Sequence, residues 1–407
     1  MSQRLKGIIK SAGPGFIIAS VVLGPGSITT ASKIGAEHGY QLLWVIVFAA
    51  IGMAMYTTMS TRYGISHEKS ILQTTAETYG RWFAGLIGIS AFLTATSFQF
   101  GNNLGVATAM QTITGINETV WPLILTPTAI VLIFFAKNLY KVIEKIMMVL
   151  VMTMIVAFFL NLIFAKPDIV ATAKGFLPIS LPRNAFNEMA ALVGTTFVLH
   201  VCLYHSYLVQ NKGWGLDDYK QQKRDSISGI IMLGGISMLV ILTSAAALNP
   251  KGIMVSSAAD MAIQLEALFG SFAKYVFSIG LFAAAFSSLL VNAVIGGGLL
   301  SDGLGLGRTM DEKYPKIFSI IVLLIGMIIA VFFRGDIVYA LVLAQASSLF
   351  AVPAIGIGLF LLLNNKKVMG DLRNNLIQNI VAGLGLILIL VMVYYMYHRL
   401  IMFIGKL

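Results

Sequence analysis

The chain has little of what soluble and secreted proteins are built from. One cysteine, Cys202, in 407 residues excludes a disulfide framework and any multi-cysteine metal site. Charged residues make up 11% of the chain, where a soluble domain carries roughly a quarter. No polar linker, low-complexity tract or soluble-domain pattern interrupts it. What is present is apolar: 57% of residues are hydrophobic and the mean hydropathy is +0.86. A water-soluble globule of this size would expose too much of that surface, so the composition predicts a membrane protein. The 39 glycines agree, because bilayer helices tolerate glycine better than soluble ones. A net charge of +11 would point to nucleic acid in a soluble protein. Here an excess of Lys and Arg on one side of a bilayer accounts for it, and no nucleic-acid partner is expected.

A spanning helix needs roughly 20 mostly apolar residues. Eleven such spans are predicted, at 13–36, 41–61, 83–110, 120–136, 143–165, 187–209, 228–248, 271–300, 316–333, 337–363 and 376–404. Arg4, Lys6 and Lys10 precede the first, which is read as a retained span rather than a cleaved signal. With the N-terminus in the cytoplasm, the outer side holds only Lys33, Lys166, Lys174, Arg183, Lys251, Lys274, Arg334, Arg399 and Lys406. The other 19 of the 28 basic residues fall inside, which predicts a cell-membrane protein with its N-terminus cytoplasmic and its C-terminus outside.

Two spans carry interruptions. Gly24-Pro25-Gly26 sits near the middle of the first. Proline lacks the N–H and clashes with the preceding turn, and two glycines add backbone freedom, so the helix should unwind at mid-membrane. Unpaired backbone groups are tolerated there only where they line a cavity or site. The sixth span contains His200 and His205, and intramembrane ionisable groups mark function by default. Five residues apart, they point about 140° away from one another on an unbroken helix. Each histidine could equally be satisfied within the bundle, and Cys202 is expected only to pack. Broken segments at spans one and six, five spans apart, are the mark of inverted repeats with a midplane site.

Several segments then resemble one known family in order and spacing. They are Gly13-Pro14-Gly15-Phe16, Gly39-Tyr40-Gln41-Leu42-Leu43-Trp44, Arg62-Tyr63-Gly64-Ile65, Ala165-Lys166-Pro167-Asp168, Gly175-Phe176-Leu177-Pro178, Ala344-Gln345, Pro353, and Met369-Gly370-Asp371-Leu372-Arg373-Asn374. The chain resembles the Nramp (natural resistance-associated macrophage protein) transporters through nearly its whole length. The resemblance implies an all-α membrane protein with a leucine-transporter-type 5+5 inverted repeat plus one extra helix. It divides a single domain, 1–407, into a first repeat at 13–165, a second at 187–363 and an extra helix at 376–404.

The departures from that family fall on its metal site. The family's first-helix motif is D-P-G-N, whose Asp and Asn bind the transition metal; here Gly24-Pro25-Gly26-Ser27 stands there. Its sixth-helix M-P-H is Val198-Leu199-His200, without thioether or proline. The third helix, which carries acidic residues on the family's proton path, reads Ala95-Thr96-Ser97-Phe98-Gln99-Phe100-Gly101-Asn102-Asn103. A glutamine near the family's metal aligns with Ala351, though Gln345 is present. Because Gly24, Ser27 and Val198 replace the metal ligands, no metal-ligand set is assigned and Mn²⁺ affinity is expected to be absent or no better than about millimolar.

The substrate-binding candidates are therefore Gly24, Pro25, Gly26, Ser27, Thr195, Val198, His200 and Gln345, with His200 and His205 as candidates for proton coupling or gating. Thr29, Thr30, Thr196, Asn102 and Asn103 complete the polar inventory at the expected centre. The leading expectation is a secondary transporter working by alternating access on a small neutral or anionic solute, favoured by a helix N-terminus after Gly26. The alternative, implied by the family, is a divalent metal ion transporter for Mg²⁺ or Mn²⁺, with proton symport open. A third reading is a non-transporting membrane scaffold or sensor. No nucleophile–base set or phosphate loop points to an enzyme, so catalytic residues and cofactors are expected to be none. The partners expected are the lipid bilayer and a small-molecule or ion substrate, with the oligomeric state open. Ser287-Ser288 and Gly296-Gly297-Gly298 are read as close-packing residues.

Overall fold

A computed structural model of the protein describes residues 24–178, 182, 185–333 and 335–404. Every element in them is helical. They are α1 (Pro25–His38), α2 (Leu43–Ser66), α3 (Ile71–Tyr79), α4 (Arg81–Thr114), α5 (Val120–Phe134), α6 (Lys137–Ala165), α7 (Phe186–Thr196), α8 (Leu199–Asn211), α9 (Tyr219–Ala247), α10 (Ala273–Leu304), α11 (Lys313–Phe332), α12 (Ile337–Ser348), α13 (Val352–Asn364) and α14 (Leu376–Ile404). Short helical turns connect them. Among the described residues nine helical stretches are long and apolar enough to cross a membrane, and α5 is a shorter apolar helix. With α1 as the described part of the first, these are the eleven expected spans. The first half of that span (13–23), with Gly13–Phe16 and the basic residues Arg4, Lys6 and Lys10, lies outside the described residues, as do Arg183, Arg334 and Lys406.

Small residues let the central helices meet backbone to backbone. A Cβ on Gly88 of α4 would stand 2.9 Å from the Leu299 carbonyl oxygen of α10, and one on Gly303 would stand 2.6 Å from that of Ala84. The Gly296–Gly298 run behaves as expected at two positions: Gly296 abuts Ala95 of α4 and Gly297 abuts Ser319 of α11. Gly298 has nothing within 4 Å and packs against neither. This α4–α10 seam forms the middle of the bundle. The last helix, α14, lies at the rim, tied to α2 by the Tyr56 hydroxyl donating to the Ala382 carbonyl at 3.3 Å.

Two spans are interrupted within the described residues, and the described part of the first starts at the expected position: Gly24 is extended (φ −95°, ψ 178°) and Pro25 opens α1, where its missing N–H costs nothing. In the sixth, Phe197 (φ −103°, ψ 69°) and Val198 (φ −93°, ψ 84°) leave the helix between α7 and α8. No proline causes this. The fully buried Phe197 ring lodges where a Cβ of Gly52 (2.7 Å) or Gly385 (3.0 Å) would be, and meets the Tyr56 ring at 5.5 Å with a 55° tilt. Seating that ring pulls the chain out of helical register. The other break, Leu349–Ala351 between α12 and α13, interrupts the span expected to run unbroken over 337–363. Pro353 in the first turn of α13 makes it possible.

Distant segments singled out in the sequence meet at one end of the bundle. The Arg62 guanidinium of α2 donates to the carbonyls of Leu372 (2.9 Å) and Arg373 (3.3 Å), to Gln378 Oε1 (3.1 Å) and to Asn374 Oδ1.

Candidate functional site

The start of α1 and the breaks in spans six and ten converge on a buried polar centre between α1, α4, α8, α10 and α12. Gly24 faces α4 and α10: a Cβ there would lie 3.3 Å from both Asn102 Oδ1 and Ser288 Oγ. Pro25 packs into the space left by Gly105 of α4. Gly26 is covered by the Gln345 side chain of α12, whose Nε2 would lie 2.1 Å from a Cβ, and the same amide lies 3.0 Å from a Cβ on Gly101. Gly194 of α7 rests on the Gln345 backbone carbonyl, 2.4 Å from its own missing Cβ. Glycine at these positions is a matter of close approach. Gln345 is held between three helices by three of them.

The side chains at the centre form a directional network. Gln99 Nε2 donates to the Leu289 carbonyl at 3.0 Å, which turns Gln99 Oε1 toward Asn102 Nδ2 and Asn292 Nδ2, each at 3.4 Å. Asn292 Nδ2 also donates to the Ala95 carbonyl at 2.7 Å, and Asn292 Oδ1 lies 3.1 Å from His200 Nε2. Asn103 is occupied elsewhere, donating to the Gln99 carbonyl (3.0 Å) and accepting from Thr126 Oγ1 (2.8 Å). His200 is fully buried, edge-on to Phe98 at 5.5 Å. Among the buried acceptor-capable atoms left without a partner are His200 Nδ1, Gln345 Oε1, Ser288 Oγ, Thr29 Oγ1, Thr30 Oγ1 and Thr196 Oγ1.

The remaining candidates divide. Ser27 Oγ donates to the Gly24 carbonyl at 2.8 Å and Thr195 Oγ1 to that of Leu192 at 3.0 Å, the back-bonding common in membrane helices. The Val198 carbonyl starts α8, accepting from the amides of Val201 and Cys202, both at 3.1 Å. His205 is not brought to the centre. It bonds Ser226 Oγ of α9 at 2.9 Å, and that hydroxyl in turn lies 3.2 Å from Thr61 Oγ1 of α2. Cys202 packs beside Thr57 and Met53.

Apart from Gln99, which was quoted only as part of the third-helix stretch, Asn292 and Ser288 are the site residues that the sequence reading left out. The signal was available in one case: Asn292 is an amide inside the apolar run Leu289–Ile295. Ser288 carried none, since serine at a helix contact is ordinarily a packing residue. Among the described residues no group of three or more His, Cys, Asp or Glu could hold a metal ion. At one mouth of the bundle Lys33 of α1 pairs with Glu37 (3.7 Å) and with Glu188 of α7 (3.8 Å). Burial raises the Glu37 carboxyl above its ordinary range, with Lys33 opposing, and burial lowers the adjacent His38.

Comparison with known proteins gives a consistent picture. The family model described as natural resistance-associated macrophage protein-like matches residues 15–399. The divalent metal cation transporter MntH of Yersinia enterocolitica is 26% identical over 398 residues, covering 96% of this chain and 94% of its own. That of Klebsiella pneumoniae is 25% identical over 387 residues, covering 94% and 91%. The crystal structure of the Eremococcus coleocola manganese transporter in complex with an aromatic bis-isothiourea substituted compound superposes with a TM-score of 0.79 at 17% identity, over 96% of this chain and 87% of its own. Mhp1, a nucleobase-cation-symport-1 family transporter, gives 0.60 at 14% identity, over 95% and 92%. The fold is thus the leucine-transporter type.

Proposed function

The chain belongs to the Nramp family of secondary transporters, and from that membership we propose that its cargo is a divalent metal ion, Mn²⁺ or Mg²⁺, held through neutral acceptors with part of its water shell retained. It is a multi-pass membrane protein and a transporter rather than an enzyme. The relatives named MntH favour the cation alternative over the neutral or anionic solute that the missing carboxylate had put first.

One observation carries the cation reading. The amide donors of Gln99, Asn102 and Asn292 are spent on backbone carbonyls and on one another, through Gln99 to Leu289, Asn292 to Ala95 and Asn102 to Gln99. Asn102 Oδ1 turns a lone pair toward Gly24, Gln345 Nε2 covers Gly26, and Gln345 Oε1 and His200 Nδ1 are buried acceptors without a partner. Hard cations take neutral carbonyl and hydroxyl oxygens, and imidazole suits later divalent metals. The C-terminal end of α7 adds the negative end of a helix dipole. Without a carboxylate, binding is weak, no better than about 1 mM. We place Gly24, Pro25, Gly26, Ser27, Thr195, Val198, His200 and Gln345 around this cation. The repeats 13–165 and 187–363 rock about it, 376–404 remains peripheral, and the protein sits in the plasma membrane with its N-terminus cytoplasmic and its C-terminus outside.

A second reading keeps the small neutral or anionic solute, because Gly24 removes the carboxylate and α1 presents its positive N-terminal end. Proteoliposome flux separates them. Saturable Mn²⁺ or Mg²⁺ uptake lost in His200→Ala supports the cation. No uptake of either ion, with saturable uptake of bicarbonate or a small carboxylate, overturns it.

A further inference from the structure

We infer that Asn292 is a positioning residue that holds His200 as its Nε2–H tautomer, so that the Nδ1 lone pair is what His200 offers to the cargo. The inference goes beyond the proposed cargo, and only its affinity half rests on that reading.

The chain of donors leaves one assignment. The Ala95 carbonyl can only accept, so the atom of Asn292 lying 2.7 Å from it is the amide nitrogen. The other end of that amide, 3.1 Å from His200 Nε2, is therefore the oxygen. An amide oxygen can only accept, so Nε2 carries the proton. A neutral imidazole has one N–H, which leaves Nδ1 as a bare acceptor. That nitrogen is buried without any partner, on a side chain with no exposed surface. Gln99 holds Asn292 from the second side, with its own amide direction fixed by the Leu289 carbonyl. Every link ends on a main-chain carbonyl of α4 or α10, so the tautomer is set by the helix seam and not by solvent.

This is the arrangement found behind metal-binding histidines, whose second nitrogen donates to a fixed acceptor. There the acceptor is usually a carboxylate or a main-chain carbonyl. Here it is a neutral side-chain amide, which orients the ring without adding charge to a site that already lacks a carboxylate. Gln99 and Asn292 lie on different helices, so the His200 ring is also sensitive to any sliding of α10 along α4.

The test uses the full-length protein in nanodiscs with ¹⁵N-labelled histidine, the His200 signals being identified by their loss in His200→Gln. The wild type should show a protonated Nε2 and a bare Nδ1. Asn292→Leu should give a mixture of tautomers. Asn292→Asp, which when protonated can donate to Ala95 and accept from Nε2, should restore the single form. In Mn²⁺ flux, Asn292→Leu should raise KM about 10- to 100-fold, the usual loss when a histidine's supporting acceptor is removed, with the maximal rate within about threefold. Asn292→Asp should recover most of that KM. Should Asn292→Leu fail to fold, the wild-type and Asn292→Asp spectra still decide the assignment. A wild-type His200 protonated on Nδ1, or an Asn292→Leu variant with unchanged tautomer and KM, overturns the inference. An Nε2–H tautomer in a protein that moves no divalent ion overturns the cargo reading and leaves the positioning role standing.

Discussion

Gly24→Asp tests the account of the site most directly. Residue 24 is extended, a conformation any L residue adopts, so aspartate brings no backbone strain. Its Cβ would stand 3.3 Å from Asn102 Oδ1 and Ser288 Oγ, close enough that each must yield a few tenths of an ångström. The Ser288 hydroxyl has no partner and can turn to donate to the new carboxylate. At an effective dielectric of about 20, two unit charges about 4 Å apart interact by about 4 kcal/mol, and a dication doubles that. Removing a carboxylate from water costs several kcal/mol, which offsets most of the gain. The expected net is about 1.5–3 kcal/mol, or roughly ten- to hundredfold tighter binding. Calorimetry with Mn²⁺ on purified wild type, Gly24→Asp and the uncharged Gly24→Asn reads this, with thermal melts confirming that each variant is folded. A folded Gly24→Asp with unchanged or weaker affinity would refute the reasoning. So would an equal gain in Gly24→Asn, because shape rather than charge would then be responsible.

Three further outcomes are expected. A C-terminal reporter active only in the cytoplasm should be silent if eleven spans start from a cytoplasmic N-terminus; strong activity would break the span count. Gly194→Ala should destabilise by about 1–3 kcal/mol, because its Cβ would fall 2.4 Å from a backbone oxygen that cannot move alone. Gly235→Ala, on a helix face with nothing within 4 Å, should leave the melting temperature unchanged or raise it, and equal melts for the two would contradict the packing account. A proton and a cation compete for the single lone pair on His200 Nδ1, so over whatever pH range that nitrogen takes up a proton, Mn²⁺ affinity should fall as pH falls and binding should release the proton. His200→Gln should flatten that dependence. An unchanged slope would make His200 structural, and proton uptake on binding would favour an anionic cargo instead.

Much of the site could be named from local chemistry and little of it could be assembled. Gly24-Pro25-Gly26 announces a break because proline and glycine act on their own backbone, whatever surrounds them. His200 and His205 could be flagged because an ionisable group in hydrocarbon is costly wherever it sits. Their separation on the helix already told them apart, and the structure sends His205 to Ser226 and His200 to Asn292. The break in span six was less secure in the sequence because no proline stands there. It depends on Phe197 filling space left by Gly52 and Gly385, residues 145 and 188 positions away in the chain. The break in span ten was passed over although Pro353 marks it, because the apolar run continues across it.

The sequence by itself determined the solvent of this protein, the run of apolar helices, the family pattern and the loss of charge at the position of the family's first-helix metal ligand. Each depends on residue type and order along one chain segment. Tertiary structure alone decided which lone pairs face the centre. An amide has no preferred direction until a neighbour claims one end, and the Leu289 and Ala95 carbonyls that do so lie 190 and 197 residues from their partners. It also decided that Ser288 belongs to the site and Ser27 is turned back on Gly24. A hydroxyl in a membrane helix bonds whatever lies within reach, and only the packing of α4 against α10 and α1 sets what that is.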